Sequence, residues 1–129
     1  MEFAPIHFSD KVHLTGYGPG RFQLSGEEIV EGSLMLLPEG LARWAARSIT
    51  DMTETDAEAI AAQAQGFDIL LIGTGEAIAP LPKAVRLAFE SRDVGYDLMD
   101  TGAACRTFNV LLAEERRVAA VLIAYPEQA

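Results

Sequence analysis

The sequence predicts an α/β fold: a single three-layer domain over residues 1–129, with a central mixed, mostly parallel sheet flanked by helices and an N-terminal antiparallel β-rich part. Three observations predict it. Residues 67–75, Phe-Asp-Ile-Leu-Leu-Ile-Gly-Thr-Gly, carry five apolar side chains in the first six and then break at Gly73 and Gly75. That is the pattern of a strand buried on both faces and ending in a loop. Beyond residue 53, helical and strand patterns alternate, as they do where crossovers build a parallel sheet. Before residue 40, short apolar runs are punctuated by glycine, as in antiparallel hairpins.

Taken in order, residues 1–11 lack a period and read as an arm that pairs at its end. Residues 12–17 read as a strand closed by Gly16, Gly18, Pro19 and Gly20. Phe22 and Leu24 alternate with polar residues, Ser25-Gly26 supplies a turn, and Ile29-Val30 completes a hairpin. Gly32 bends the chain into an apolar strand over residues 33–37, ended by Pro38-Glu39-Gly40. Residues 41–50 stay open between helix and strand, because Leu-Ala-Arg-Trp-Ala-Ala-Arg has helical propensity but too few residues for a period.

Residues 53–65 form a helix. Thr53 caps it, Asp56 complements its dipole, and Ala57, Ile60, Ala61 and Ala64 make one apolar stripe, with Gly66 in the C′ role. The central strand follows over residues 67–72. Pro82 opens a second helix that runs to about Ser91 and buries Val85, Ala88 and Phe89. Val94, Tyr96 and Leu98 alternate along a strand. Asp100 or Thr101 caps a third helix, on which Ala104, Phe108 and Leu111 share a face. Residues 114–117 turn the chain into a final apolar strand over residues 118–125.

The chain of 129 residues is long enough for a real core, and its net charge of −9 excludes a broad nucleic-acid or anionic-membrane surface. No apolar run reaches the length of a membrane span, and no signal peptide is visible. One cysteine forms no internal disulfide, which points to a reducing cytoplasm. His7 and His13 have no Cys or His partner at ligand spacing, so neither a metal nor a cofactor is expected.

Two segments are candidates for a site. Gly73, Thr74 and Gly75 form either a tight turn or a loop whose N–H groups cradle an anion. They complete neither a dinucleotide fingerprint nor a P-loop, and Glu76 repels anions. Residues 101–109 offer Thr101, Gly102 and Arg106 as further anion contacts. Cys105 lies in a first helical turn, where the dipole favours thiolate. It is the candidate nucleophile; the alternative is a small buried core residue, since no general base is in reach. If strands 67–72 and 94–98 are parallel neighbours, the two segments meet at their carboxyl ends, with free amides converging on one anion site. Asn109 reads as a bond to a neighbouring loop backbone, Trp44 as a core anchor, and Glu114, Glu115, Arg116 and Arg117 as a solvated charged turn.

The motifs Tyr17-x-x-Gly20-x-Phe22, Leu-Leu-Pro at 36–38, Trp44, Leu-Ile-Gly-Thr-Gly at 71–75 and Leu-Pro at 81–82 fit one family. So do Met-Asp-Thr-Gly-Ala-Ala-Cys-Arg-Thr-Phe-Asn-Val-Leu at 99–111 and Glu-Arg-Arg-Val-Ala-Ala at 115–120. From about residue 6 to 124 the chain resembles the family of the mitochondrial complex I assembly factor 3 and its small bacterial and archaeal homologues. The resemblance implies a three-layer α/β domain with a mixed sheet and a half-barrel-like part, with residues 41–47 extended. Its mitochondrial members assist assembly of respiratory complex I as binding proteins, its bacterial members have no assigned activity, and it carries over no catalytic residue.

Two readings follow. One is a non-enzymatic binding or assembly-helper domain with a protein partner, as a monomer or homodimer. The other is a small enzyme or ligand-binding protein with an anion pocket at residues 73–76 and 101–106.

Overall fold

The computed structural model describes residues 2–4, 13–26 and 28–126, with side chains from residue 13 onward. Along the chain run β1 (Glu2–Ala4), β2 (Leu14–Gly18), β3 (Arg21–Leu24), β4 (Glu28–Glu31), β5 (Ser33–Leu37) and β6 (Gly40–Trp44). They are followed by α1 (Glu54–Ala61), β7 (Ile69–Gly73), α2 (Lys83–Ser91), β8 (Tyr96–Met99), α3 (Thr101–Ala113) and β9 (Val118–Leu122). Short 3-10 turns at Ile49–Asp51 and Ala64–Gly66 flank α1.

Six strands form one mixed sheet in the order β1-β6-β5-β9-β7-β8, and β2-β3-β4 form a separate antiparallel sheet. The expected parallel core is present, since β7 pairs in parallel with both β8 and β9. It is confined to one half of the sheet. The other pairings, β1 with β6, β6 with β5 and β5 with β9, are antiparallel. The parallel share is therefore smaller than the sequence suggested, because the hairpin β5–β6 extends the sheet with antiparallel pairings. The smaller sheet does cap.

Alternation along the strands assigns each face to a core. Leu70 and Ile72 of β7 join Met35, Ala42 and Val121 beneath α1 and α2, which contribute Ala57, Ile60, Val85 and Phe89. Leu71 points the other way, toward Leu34, Leu36, Ala120 and Leu122, where α3 supplies Ala104, Cys105 and Phe108. The small sheet closes this second core with Leu14, Phe22, Leu24 and Val30. The three layers are thus α1 with α2, the six-stranded sheet, and α3 with the small sheet. The period-2 pattern of a strand requires both faces of β7 to be covered, and both are.

Several local expectations are met. Thr53 and Asp56 form a capping box, with the Asp56 amide donating to Thr53 Oγ1 at 3.1 Å and the Thr53 amide to Asp56 Oδ2 at 3.0 Å. Asp100 rather than Thr101 caps α3, its Oδ1 accepting from the Ala103 amide at 2.8 Å. Asn109 holds Leu14 as a strand neighbour would: it accepts from the Leu14 amide at 2.8 Å and donates to the Leu14 carbonyl at 2.6 Å. Residues 40–44 are extended, as the family resemblance implied.

Others are corrected. The strand expected at residues 67–72 starts two residues later, and it lies between β9 and β8 rather than at the middle of the sheet. Gly66 does not end α1 in a left-handed conformation. The helix stops at Ala61, and Gly66 is needed because a Cβ there would lie 2.6 Å from the Pro38 ring. Of the charged turn, Arg117 is more than solvated: its guanidinium grips both carboxylate oxygens of Asp68, at 2.6 and 3.1 Å. That pairing holds the Asp68 carboxyl below its usual range. His7 and Val12 lie outside the described residues.

Candidate functional site

Parallel pairing of β7 with β8 and β9 puts their carboxyl ends on one side, so residues 73–75 and the start of α3 do meet. The contact is close: a Cβ on Gly73 would lie 2.9 Å from Thr101 Cα, so only glycine lets the two segments touch. At Gly75 the backbone is left-handed, with φ +109°.

The amides at this junction are not free. The Thr74 amide donates to the Met99 carbonyl at 2.9 Å, and the Gly75 amide to Thr101 Oγ1 at 2.9 Å. The Thr101 amide donates to the Gly75 carbonyl at 2.8 Å, and its hydroxyl to the Ile123 carbonyl at 2.7 Å. At the start of α3, the Gly102 amide reaches the Tyr125 hydroxyl at 3.2 Å and the Ala103 amide is held by Asp100. The Thr74 hydroxyl donates to the Ala77 carbonyl at 2.7 Å and accepts from the Ala79 amide at 3.0 Å, shaping the loop that leads to α2. The amides of Thr74, Gly75, Thr101, Gly102 and Ala103 are thus engaged within the protein rather than free, by Met99, Thr101, Gly75, Tyr125 and Asp100 in turn. α2 starts only at Lys83, eight residues beyond Gly75 in the sequence.

Cys105 is buried on the second core, beside Ala104 and Phe108. Burial pushes its thiol up to about 12; Arg106 opposes that shift and Asp100 adds to it. The thiol is protonated at neutral pH and faces no solvent, which is the opposite of an activated nucleophile. Iodoacetamide is expected to label Cys105 in the folded protein far more slowly than a free thiol at neutral pH. Labelling faster than a free thiol, followed by mass spectrometry, would show that burial does not control it.

Arg106 is exposed, and its guanidinium donates to the Tyr17 hydroxyl at 2.8 Å. Tyr17 in turn meets Tyr125 edge-on, with ring centroids 5.6 Å apart. Both phenols close on Gly102, where an added Cβ would lie 2.7 Å from one hydroxyl and 2.8 Å from the other. Burial pushes the Tyr125 phenol up, with the Gly102 amide acting the other way. Tyr17 of β2 and Tyr125, beyond β9, thus join the small sheet to the start of α3, a role that single aromatic residues do not announce.

Beside Tyr125, at the same end of the sheet, opens a groove of about 900 Å³. Gly20, Gly32, Ser33, Trp44, Arg43 and Arg47 are among the residues that line it. Ser33 anchors its floor: the buried hydroxyl donates to the Ala46 carbonyl at 2.8 Å and accepts from the Ala124 amide at 2.9 Å. Trp44 is only half-buried, with one side packed against the first core, so it is both a core anchor and part of this surface.

Comparison with known proteins places the chain. Residues 14–123 match a family described as a protein of unknown function, DUF498/DUF598. The chain belongs to this family. An uncharacterised protein of Rhodobacter capsulatus is 36% identical over 119 residues, covering 92% of this chain and 90% of its own length. The NADH dehydrogenase (ubiquinone) 1 alpha subcomplex assembly factor 3 of Drosophila melanogaster is 30% identical over 112 residues, 85% of this chain. The chain spans 57% of that assembly factor's length. A crystal structure from Bartonella henselae, described as an outer membrane protein, matches with a TM-score of 0.82 at 35% identity, over 92% of this chain and 99% of that one. The DUF498/DUF598 membership and the assembly-factor similarity bear out the resemblance carried by the motifs at 17–22, 71–75 and 99–111. Among the described residues, no helix is long and apolar enough to cross a membrane.

Proposed function

We propose that this DUF498/DUF598 protein is a non-enzymatic assembly helper that works by binding a protein partner, as respiratory complex I assembly factors do. The observation that carries this reading is its similarity to assembly factor 3 over most of its length. Two features of the fold support it. The amides at the carboxyl ends of β7 and β8 are engaged within the protein, and the only thiol is buried and protonated. A reduced, unpaired cysteine fits a cytoplasmic setting.

Co-purification tests the reading. Tagged full-length chain, expressed in its source cells and cross-linked before lysis, is expected to enrich subunits of NADH dehydrogenase well above a tag-only control. Equal recovery in the two samples would contradict the proposal.

A further inference from the structure

We infer that the open edge of β8 is the docking site for an extended basic segment of a partner protein, which adds to the central sheet as a further strand and sets a Lys or Arg beside Asp97. This rests on the partner-binding reading above and names the surface and the chemistry of the partner.

Three observations carry it. First, the edge offers backbone hydrogen bonds that the described residues do not take. β8 ends the six-stranded sheet, with β7 as its strand neighbour on one side. The Met99 carbonyl accepts from the Thr74 amide at 2.9 Å, so Met99 turns its backbone groups toward β7. Alternation along the strand sends those of Asp97 the same way and those of Tyr96 and Leu98 outward. Among the described residues, no hydrogen bond reaches the outward amides and carbonyls of Tyr96 and Leu98. The edge of β2 is treated differently, since Asn109 of α3 takes both backbone groups of Leu14. An unpaired edge is a template for another strand.

Second, the edge has apolar shoulders on both faces. Tyr96 and Leu98 pack against the first core and Met99 against the second, yet all three are only half-buried. A strand laid along β8 continues both faces of the sheet, so its side chains cover these residues from the open side. Apolar burial on the two faces then adds to the main-chain bonds.

Third, charge selects the occupant. Residues 93–100, Asp-Val-Gly-Tyr-Asp-Leu-Met-Asp, hold three acids and no base. Asp93 and Asp97 are exposed, and among the described residues neither has an ion-pair partner. A second copy of this chain is a poor occupant. Antiparallel pairing of Tyr96 in each copy with Leu98 in the other puts the two Asp97 side chains directly opposite, where like charges repel. Each copy also carries a net charge of −9. A partner strand with Lys or Arg beside Asp97 is attracted instead.

The probe is the synthetic peptide Ser-Val-Lys-Val-Lys-Val-Ser, titrated at low salt into the isotope-labelled full-length protein and followed by amide NMR. Saturable shifts centred on β8 are expected, with exchange of the Tyr96 and Leu98 amides slowed about tenfold or more in the bound protein. Binding should weaken about tenfold or more in Asp97→Lys and fade as salt rises from about 50 to about 500 mM. The same peptide with its backbone amides methylated should not bind, since its donors are gone. No saturable shift, an equal response to Ser-Val-Glu-Val-Glu-Val-Ser, binding of the methylated peptide, or binding untouched by Asp97→Lys would overturn the inference. Shifts at β8 that grow with protein concentration in the absence of peptide would give the edge to a second copy and overturn it as well. Should Asp97→Lys fail to fold, Asp97→Asn replaces it and is held to the same outcomes. Co-purification then separates the two claims. A partner retained equally by wild type and variant overturns the β8 edge and leaves the partner-binding reading standing. No partner with either protein overturns the reading and the edge with it.

Discussion

Leu71→Ala is expected to lower the unfolding free energy by about 2–5 kcal/mol, the usual cost of truncating a core leucine and leaving a cavity. Leu71 is 1% exposed and occupies the middle of β7, with β8 and β9 paired on its two sides. Its side chain is enclosed by the second core, which α3 and the small sheet cover together. The cavity has little freedom to collapse, because hydrogen-bonded strands hold its base and two separate elements form its roof. Urea melts measure the loss. A change below about half a kcal/mol would be incompatible with a fully covered face at this position.

Thr101→Val should cost a comparable amount by a different route. Valine keeps the shape but has no hydroxyl, so the Gly75 amide loses its acceptor and the Ile123 carbonyl its donor. Thr101 is 1% exposed, so water does not replace either bond without opening the junction. A buried polar group left unpaired costs about 1–3 kcal/mol, and here there are two. Thr101→Ser retains the hydroxyl and should be milder. Urea melts compare the variants, and hydrogen exchange at the Gly75 amide reports the local opening. A valine variant as stable as wild type would show that the hydroxyl does not tie the three segments together.

Much of this architecture was legible in the residues. β7 was visible because its apolar run has no polar face, and the β3–β4 hairpin because Ser25-Gly26 separates two alternating segments. Caps were visible because a capping side chain acts within three residues of itself, as Thr53 with Asp56 and Asp100 with Ala103 do. Less was legible where distant parts of the chain decide the outcome. Residues 41–44 have helical propensity, yet pairing with β5 on one side and β1 on the other makes them a strand, since packing overrides a weak local preference. Gly66 reads as a helix stop, and only the approach of Pro38 reveals its other reason for being glycine. Arg117 finds Asp68 across 49 residues of sequence.

The site shows the same division. The meeting of residues 73–75 with α3 followed from strand order and was expected. Asp100 on the Ala103 amide followed from its capping position, but that the Thr101 hydroxyl and the Tyr125 phenol would take the Gly75 and Gly102 amides did not, because those partners are distant in sequence. Ser33, Arg43 and Arg47 come together with Tyr125 only through the pairing of β5 with β6 and β9, so no local motif marks the groove.

The most direct test of the central claim, an assembly helper without chemistry of its own, is the amount of fully assembled NADH dehydrogenase on native gels of source cells lacking this protein. Assembly should fall and be restored by the wild-type chain and equally by Cys105→Ala, since a buried, protonated thiol has only a packing role. Unchanged assembly in the deletion strain would contradict the helper reading, and rescue by wild type but not by a folded Cys105→Ala protein would contradict the absence of chemistry.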